Sequence, residues 1–222
     1  QAERVVETIR RDESTALALQ ADVSNEVEVK QLVETTLEQF GSIDVLINNA
    51  GIPGPMGELH TLDVEAWDRV FSVNVCGVFL CSKMVIPCMI ERGAGHIVNI
   101  SSSTTSSGFK IEHLRSFPYT VSKGTVNWIS HFLSMQTEKH GIRVNTLCPG
   151  LADTHFQENT SPDYLKGRRC WKSNHTVNPL LYVLTELEGT GQTVNSEDWH
   201  EERGTVEDYS CLLYTSDAAD DT

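Results

Sequence analysis

Basic residues are scarce in this sequence, and their scarcity excludes two common kinds of partner. The 222 residues include 17 lysines and arginines against 31 aspartates and glutamates, so the formal net charge is −14. Proteins that bind nucleic acid or anionic membranes need clustered positive charge. We therefore expect no nucleic-acid partner and no attachment to a membrane.

Cysteine pairs and metal-type histidine spacings are missing as well. The six cysteines include no C-x-x-C pair, and the eight histidines are scattered along the chain. We therefore expect reduced thiols, no disulfide framework and no metal site. The G-x-S-x-G turn that carries the nucleophile of many hydrolases is also absent.

Long apolar runs and a signal peptide are not recognisable. No stretch approaches the roughly 18–20 apolar residues that cross a bilayer. We therefore expect a cytoplasmic protein. The first residue is Gln1 rather than methionine, and we expect the natural start of the protein to lie upstream of it.

The sequence does contain alternating strand-like and helix-like segments. Apolar spacing predicts strands over residues 16–23, 43–47, 96–102 and 143–148. Helices are predicted over residues 1–11, 24–40, 63–92 and 117–140. The run 43–47 is apolar throughout, as in a parallel strand covered on both faces. This order predicts an α/β fold, a Rossmann-like doubly wound parallel sheet with helices on both faces.

The pattern stops near residue 160. Residues 180–184 form one apolar run that could be a strand, but 161–222 otherwise lack helical or strand periodicity. We therefore expect a domain over residues 1–160 and an atypical tail over 161–222, either disordered or artefactual. The last residues, from Cys211 to Asp220, resemble translated sequencing-adapter sequence.

One pair of side chains has the spacing of an acid–base site. Tyr119 and Lys123 are four residues apart in a predicted helix and so share one face. A nearby ammonium favours a phenolate and lowers the pKa of a tyrosine toward the range useful for proton transfer. The same spacing also fits a surface tyrosine beside a surface lysine.

Three further polar features each have an ordinary structural interpretation too. Ser101–Ser103 end a predicted strand, where a hydroxyl can donate to a carbonyl oxygen or simply form a turn. Asn74 lies in an apolar helix, where a buried asparagine needs a hydrogen-bond partner and could be a satisfied core residue. The segment 48–51, Asn-Asn-Ala-Gly, follows a strand and could be a plain turn.

Together and in this order, these features resemble the short-chain dehydrogenase/reductase family. The resemblance covers about residues 1–160. It rests on Asp22-Val23, segment 48–51, Asn74, the strand ending at Ser102, the Y-x-x-x-K of Tyr119 and Lys123, and Pro149-Gly150 with Thr154.

The resemblance implies an oxidoreductase that transfers a hydride between NAD(P)(H) and a small alcohol or ketone. It implies that Tyr119 is the catalytic acid/base and that Lys123 lowers its pKa and holds the nicotinamide ribose. Ser102, preferred over Ser101 and Ser103 because it follows the strand 97–100, would polarise the substrate carbonyl. Asn74 would anchor a water in a proton relay to the lysine.

The resemblance also implies a set of cofactor contacts. The adenosine side would be lined by Asp22, Val23, Asn49, Ala50 and Gly51. The nicotinamide side would be held by Pro149, Gly150, Thr154, Tyr119 and Lys123. The residue that selects NAD or NADP would lie upstream of Gln1, so the sequence leaves either cofactor open.

Two parts of the family pattern are not found. The first strand with its T-G-x-x-x-G-x-G turn is absent, so we expect an incomplete first βαβ unit, and 161–222 match no C-terminal strand. Three alternatives follow. The intact protein is an oxidoreductase, a homodimer or homotetramer formed through helices 63–92 and 117–140. It is instead a non-catalytic nucleotide-binding relative. Or the chain by itself is an inactive fragment without NAD(P) affinity.

Overall fold

A parallel sheet organises the part of the chain that the computed structural model describes, residues 2–105, 116–152 and 171–205. Its strands are β1 (Val45–Asn48), β2 (Gly95–Ile100), β3 (Ile142–Cys148) and β4 (Thr193–Asn195). They lie in the order β1-β2-β3-β4, and each pairs in parallel with its neighbour. Their carboxyl ends therefore lie at one edge of the sheet.

Helices alternate with the strands along the chain. They are α1 (Ala2–Arg11), α2 (Glu26–Phe40), α3 (Val64–Phe71), α4 (Gly77–Arg92), α5 (Phe117–Thr137), α6 (Val177–Thr185) and α7 (Ser196–Glu202). A π-helical turn over Ser72–Cys76 joins α3 to α4 without a break. The alternation of strand and helix matches the α/β prediction.

Both faces of the sheet are covered by helices. On one face, Ile97 and Val144 pack in a buried cluster with Met89 of α4. On the other face, Val98 packs with Val183 of α6. Because successive residues of a strand point to opposite faces, Ile97 and Val98 mark the two layers. The prediction of a Rossmann-like sheet with helices on both faces is confirmed.

Capping residues define the ends of helices α2 and α3. Asp63 caps α3, because its carboxylate accepts a hydrogen bond from Ala66 N at 3.1 Å. Gly41 ends α2 in the left-handed region, with φ 78°. The cap at the start of α2 is Asn25, whose side chain accepts from Val27 N and Glu28 N, while the Ser24 hydroxyl donates to Asp22.

Two strand predictions need correction. Residues 16–23 form no strand, because no strand in the described part of the chain pairs with them. The predicted strand 43–47 is observed as β1, but it is not covered on both faces. Val45 and Ile47 are 42% and 40% exposed. β1 is the outer strand of the described sheet, and α6 packs over Val98 and its neighbours instead.

The expectation of an irregular tail from residue 161 is wrong for residues 177–202. The run 180–184 lies in helix α6, not in a strand, because Val183 and Leu187 turn toward the same buried cluster. β4 then pairs with β3 through Thr146 and Thr193, and α7 follows. Residues 206–222 and the predicted boundary near residue 160 lie outside the described residues.

One helical run in the described chain is long and apolar enough to cross a membrane, which the sequence did not lead us to expect. It is the run Val64–Arg92, with 29 residues. Half of its most apolar window is buried inside the fold, and Val85 and Met89 lie in the core of the sheet layer. A core helix passes the same test of length and composition, so the run is weak evidence for a membrane span.

Candidate functional site

Three loops meet at the carboxyl edge of the sheet. Asn49 follows β1, Ser101 follows β2 and Pro149 follows β3. The last two loops are in contact, since Ser103 N donates a hydrogen bond to Pro149 O at 3.3 Å. In open α/β sheets this edge is where ligands bind.

Helix α5 presents Tyr119 and Lys123 to this edge. Both side chains are buried, with 7% and 4% exposure, which excludes the interpretation as a surface pair. Lys123 Nζ donates to Ile100 O at 2.7 Å and lies 5.9 Å from the ring centre of Tyr119. The helix is fastened to β2 by Ser101, whose hydroxyl donates to Lys123 O at 3.1 Å.

The electrostatics of this pair are set by burial. Burial lowers the pKa of Lys123 to about 8, and the nearby Cys148 opposes the shift. With that pKa, roughly nine-tenths of the lysine is still protonated at pH 7. Burial also raises the pKa of Cys148, which keeps that thiol neutral. Among the described residues, the Lys123 ammonium therefore places a positive charge beside the Tyr119 ring.

Asn74 lies in the π-helical turn and is completely buried. Its Oδ1 accepts from Ile52 N at 2.8 Å, and its Nδ2 donates to Ile52 O and to Ser122 Oγ, both at 3.0 Å. Asn74 is thus a hydrogen-bonded core residue that ties the loop after β1 to α5. Turns of this π type often lie at functional sites.

Gly51 brings the loop after β1 against both of these side chains. A Cβ at this position would lie 3.3 Å from Asn74 Oδ1 and 3.4 Å from Lys123 Nζ. The absence of a side chain at Gly51 therefore keeps the space beside the lysine ammonium open. The structure brings Gly51, Asn74, Tyr119 and Lys123 together as one group.

The two serines after β2 have different partners. Ser101 uses its hydroxyl on the backbone of α5, as described above. Ser102 Oγ accepts hydrogen bonds from Thr104 N at 3.3 Å and from Thr104 Oγ1 at 3.0 Å. Since a hydroxyl that accepts can still donate its own hydrogen, Ser102 is the better placed of these two serines to act on a carbonyl oxygen.

Asp22 and Val23 contact a different part of the molecule. Asp22 accepts hydrogen bonds from Ser24 and lies 3.4 Å from Arg69 Nη1 of α3. The hydrogen bonds from Ser24, helped by Arg69, lower the pKa of Asp22. Val23 packs on Gly77, where a Cβ would lie 2.8 Å from Val23 Cγ2. These residues adjoin the α3–α4 junction.

The other predicted cofactor residues are placed as follows. Asn49 and Ala50 are exposed on the loop after β1. Pro149 and Gly150 are half-buried, and the Glu197 carboxylate lies against the position where Gly150 would carry a Cβ. Thr154 lies outside the described residues. Within the described ranges, no group of His, Cys, Asp or Glu side chains could hold a metal ion.

A buried polar network behind the site was not anticipated from the sequence. Asn48 Nδ2 donates to Asn99 Oδ1 at 2.8 Å and to Ser82 Oγ at 3.2 Å. Asn99 Nδ2 donates to Ser130 Oγ at 2.9 Å, which links β1, β2 and α5. The signal that could have found it is the asparagine inside the otherwise apolar segment 97–100.

Replacing Asn99 by alanine is expected to destabilise the fold by about 3 kcal/mol. The change leaves two buried hydrogen-bonding groups, those of Asn48 and Ser130, with one partner fewer each. Urea unfolding followed by circular dichroism measures the loss. The exposed Asn174→Ala is the control and should stay within about 0.5 kcal/mol of the parent protein. An Asn99→Ala protein as stable as that control would contradict the assigned role.

Comparison with known proteins identifies a family and several relatives of this chain. The family model described as short chain dehydrogenase matches residues 1–165. A 2-(R)-hydroxypropyl-CoM dehydrogenase of Xanthobacter autotrophicus is 44% identical over 144 residues, which cover 62% of this chain. A 3-oxoacyl-[acyl-carrier-protein] reductase of Synechocystis is 32% identical over 201 residues, 87% of this chain and 79% of that protein.

A solved structure shares the same arrangement. The 3-ketoacyl-(acyl-carrier-protein) reductase from Brucella melitensis, complexed with NADH, superposes with a TM-score of 0.75 at 29% identity. The match covers 87% of this chain and 81% of that structure. By contrast, the chain spans only 54% of the length of the Xanthobacter relative.

Proposed function

Because the chain belongs to the short chain dehydrogenase family, we propose that the protein is an oxidoreductase acting on a small alcohol or ketone. The observation that carries the proposal is the buried group of Tyr119, Lys123 and Asn74 at the carboxyl edge of the sheet. The named relatives are one dehydrogenase and two reductases, which supports the same reaction class. The proposal includes a cytoplasmic location for the protein.

In the proposed mechanism, Tyr119 moves the proton. Its phenol would donate a proton to the carbonyl oxygen during reduction and accept it back during alcohol oxidation. The Lys123 ammonium, 5.9 Å from the ring centre, favours the negative charge that forms on the phenol oxygen. Since the lysine is buried, water screens this interaction little.

Ser102 and Asn74 would complete the reaction path. The Ser102 hydroxyl would donate to the carbonyl oxygen and orient it toward Tyr119. Asn74 holds the loop after β1 against α5 through Ile52 and Ser122. Gly51 lets the backbone of this loop lie close to the Lys123 ammonium. We propose that the loop backbone and the ammonium also bind a water molecule, which would relay protons between solvent and the site.

A nicotinamide cofactor, NAD or NADP, fits the chemistry of these residues. Among the described residues, Lys123 Nζ has one hydrogen-bond acceptor, Ile100 O, so N–H groups remain for ribose hydroxyls. Gly51, Asn49 and Ala50 offer a loop with little side-chain bulk for the adenosine side, and Asp22 an acceptor for adenine. Pro149, Gly150 and Thr154 would hold the nicotinamide. When bound, the cofactor supplies or takes the hydride.

The test of the proposed function is a cofactor-linked assay on the protein as expressed from its own gene. NADH and NADPH consumption is followed at 340 nm with a panel of ketones, and NAD(P) reduction with the matching alcohols. We expect turnover with at least one substrate pair and one cofactor. Cofactor binding by calorimetry without turnover on any substrate would instead identify a non-catalytic nucleotide-binding protein. Neither binding nor turnover would overturn the proposal.

A homodimer or homotetramer is part of the same proposal. Along α5, Trp128, Phe132 and Met135 are 65%, 58% and 64% exposed and lie on one face of the helix. A patch of this kind on an otherwise polar surface is typical of a protein contact. The predicted contact would use this helix together with the helical run from residue 63 to 92.

Replacing Trp128 by glutamate is expected to weaken this association by at least about tenfold, because a charge would be buried at the contact. Analytical ultracentrifugation over a range of concentrations measures the change. Gln31→Glu on the exposed side of α2 adds the same acid elsewhere and should leave the assembly intact. An unchanged assembly in Trp128→Glu would show that this face is not the interface.

A further inference from the structure

We infer that Ser116 is a positioning residue for Tyr119, coupling the start of helix α5 to the loop after β1. This inference rests on the proposed role of Tyr119. Ser116 lies three residues before the tyrosine, at the N-cap of α5, and is 1% exposed. It is therefore a buried cap, whereas most helix caps lie at the surface.

The Ser116 hydroxyl makes two hydrogen bonds, one as the acceptor and one as the donor. It accepts from the backbone N–H of Tyr119 at 3.0 Å and donates to Pro53 O at 2.7 Å. The first bond closes the first turn of α5 on the residue that carries the phenol. The second fastens that turn to the loop that follows β1. One oxygen atom thus joins the tyrosine backbone to Pro53, which lies 63 residues before Ser116 in sequence.

The loop at the other end of this link is closely packed and hydrogen-bonded. Gly54 has φ +72°, and a Cβ there would lie 2.7 Å from Val70 Cγ2 and 3.0 Å from Ser116 Oγ. The preceding Ile52 is bound on both its N–H and its C=O by Asn74. Ser116 therefore anchors α5 to a segment that is itself hydrogen-bonded to Asn74 and packed against Val70.

The tyrosine backbone is held from the other side as well. Ser122 donates to Tyr119 O at 2.7 Å and accepts from Asn74 Nδ2 at 3.0 Å. The N–H of Tyr119 is thus fixed by Ser116 and its C=O by Ser122. If Ser116 loses its hydroxyl, the N–H of Tyr119 loses this partner, and the first turn of α5 can shift the phenol relative to Lys123. Small displacements of a reacting group are costly, since catalysis depends on orientation.

The experiment compares variants of Ser116 with a matched cap elsewhere. Ser116→Ala removes both hydrogen bonds, and Ser116→Gly removes them while keeping a residue that caps helices almost as well as serine. Ser116→Thr keeps the hydroxyl. Asn25→Ala removes the cap of α2, whose side chain accepts from Val27 N and Glu28 N. Each protein is assayed for kcat, for cofactor dissociation constant and for thermal unfolding.

We expect Ser116→Ala and Ser116→Gly each to lower kcat about tenfold, with cofactor affinity within about twofold of the parent protein. Ser116→Thr should recover most of kcat. Asn25→Ala should lower the unfolding temperature without lowering kcat. Parent-like kcat in Ser116→Gly and Ser116→Ala, or an equal loss in Asn25→Ala, would overturn the inference. Full turnover in Tyr119→Phe would instead refute the proposed function, so the two failures are distinguishable.

Discussion

Replacing Tyr119 by phenylalanine is expected to lower kcat about a thousandfold while leaving the fold and cofactor affinity close to those of the parent protein. Phenylalanine keeps the ring that fills this buried position, which is 7% exposed, and removes only the phenol oxygen. Positioned proton transfer contributes about 10²–10⁴ in rate. The Lys123 ammonium then remains in place with no phenol oxygen to act on.

The measurement is the steady-state rate at saturating cofactor, together with calorimetric titration of the cofactor into both proteins. Tyr182→Phe is the matched control, since it removes the same oxygen from a ring on α6 that stacks on Arg203, away from α5. That variant should keep the parent kcat. A Tyr119→Phe protein with more than about a tenth of the parent activity would refute the assigned role.

Acidification is expected to destabilise the protein well above the pH at which its carboxylates are protonated. Two buried histidines are responsible, His96 and His175, which are 4% and 5% exposed. Burial lowers the pKa of each to about 4, with a contribution from Arg143 at His96 and from His200 at His175. Both are therefore neutral in the folded protein over the physiological range.

The direction of the effect follows from proton binding in the two states. In the unfolded chain a histidine has a pKa near 6.5, so below that pH it takes up a proton that the folded chain does not bind. Stability contributed by the neutral form is complete above pH 6.5 and is lost as the pH falls toward 4. With about 1.36 kcal/mol for each pKa unit, each histidine accounts for at most about 3 kcal/mol.

Besides burial and Arg143, the hydrogen-bond arrangement at His96 also disfavours its protonation. Its Nε2 lies 3.1 Å from Asn145 Nδ2, and Asn145 Oδ1 accepts from Gln192 N at 2.9 Å. The second bond fixes the amide orientation, so Asn145 presents a donor and His96 Nε2 must be the acceptor. Protonating Nε2 would set two donors against each other in a buried site.

Urea unfolding at pH 7.5, 6, 5 and 4 measures this loss. His96→Gln, which cannot be protonated, should make the pH dependence shallower by up to about 3 kcal/mol over this range. The exposed His131→Gln is the control and should leave the slope as it is. A slope in His96→Gln equal to that of the parent protein would show that His96 does not carry the effect.

The sequence predicted those parts of the fold that depend on local spacing. The helix from residue 117 to 140 is found as α5 with a 3₁₀ turn at Glu138–His140, and the strand near residue 143 as β3. The strand predicted over residues 16–23 was wrong because a strand needs a neighbouring strand to pair with, and local spacing does not show whether one is there. The strand considered for the run 180–184 was wrong because a short apolar stretch is compatible with a buried helix as well as with a strand.

For the site, the sequence identified residue types but not their partners. It indicated Tyr119 and Lys123 through their spacing, and Asn74 as a polar residue in an apolar helix. It gave no sign of Ser116, because a serine before a helix is ordinary and its second bond, to Pro53 O, joins distant segments. The catalytic and cofactor-binding roles of all the predicted site residues, those of Tyr119 and Lys123 included, stay predictions.

The asparagine pair behind the site also bears on how the sheet assembles. Asn48 and Asn99 are direct partners in the pairing of β1 with β2. If the two strands paired one residue out of step, these side chains would point to opposite faces. Asn99, in the buried strand β2, would then lose its partner, at a cost of about 1–3 kcal/mol. The pair therefore favours the observed register of β1 on β2 over a register shifted by one residue. Two valines at these positions would give no such preference through hydrogen bonding.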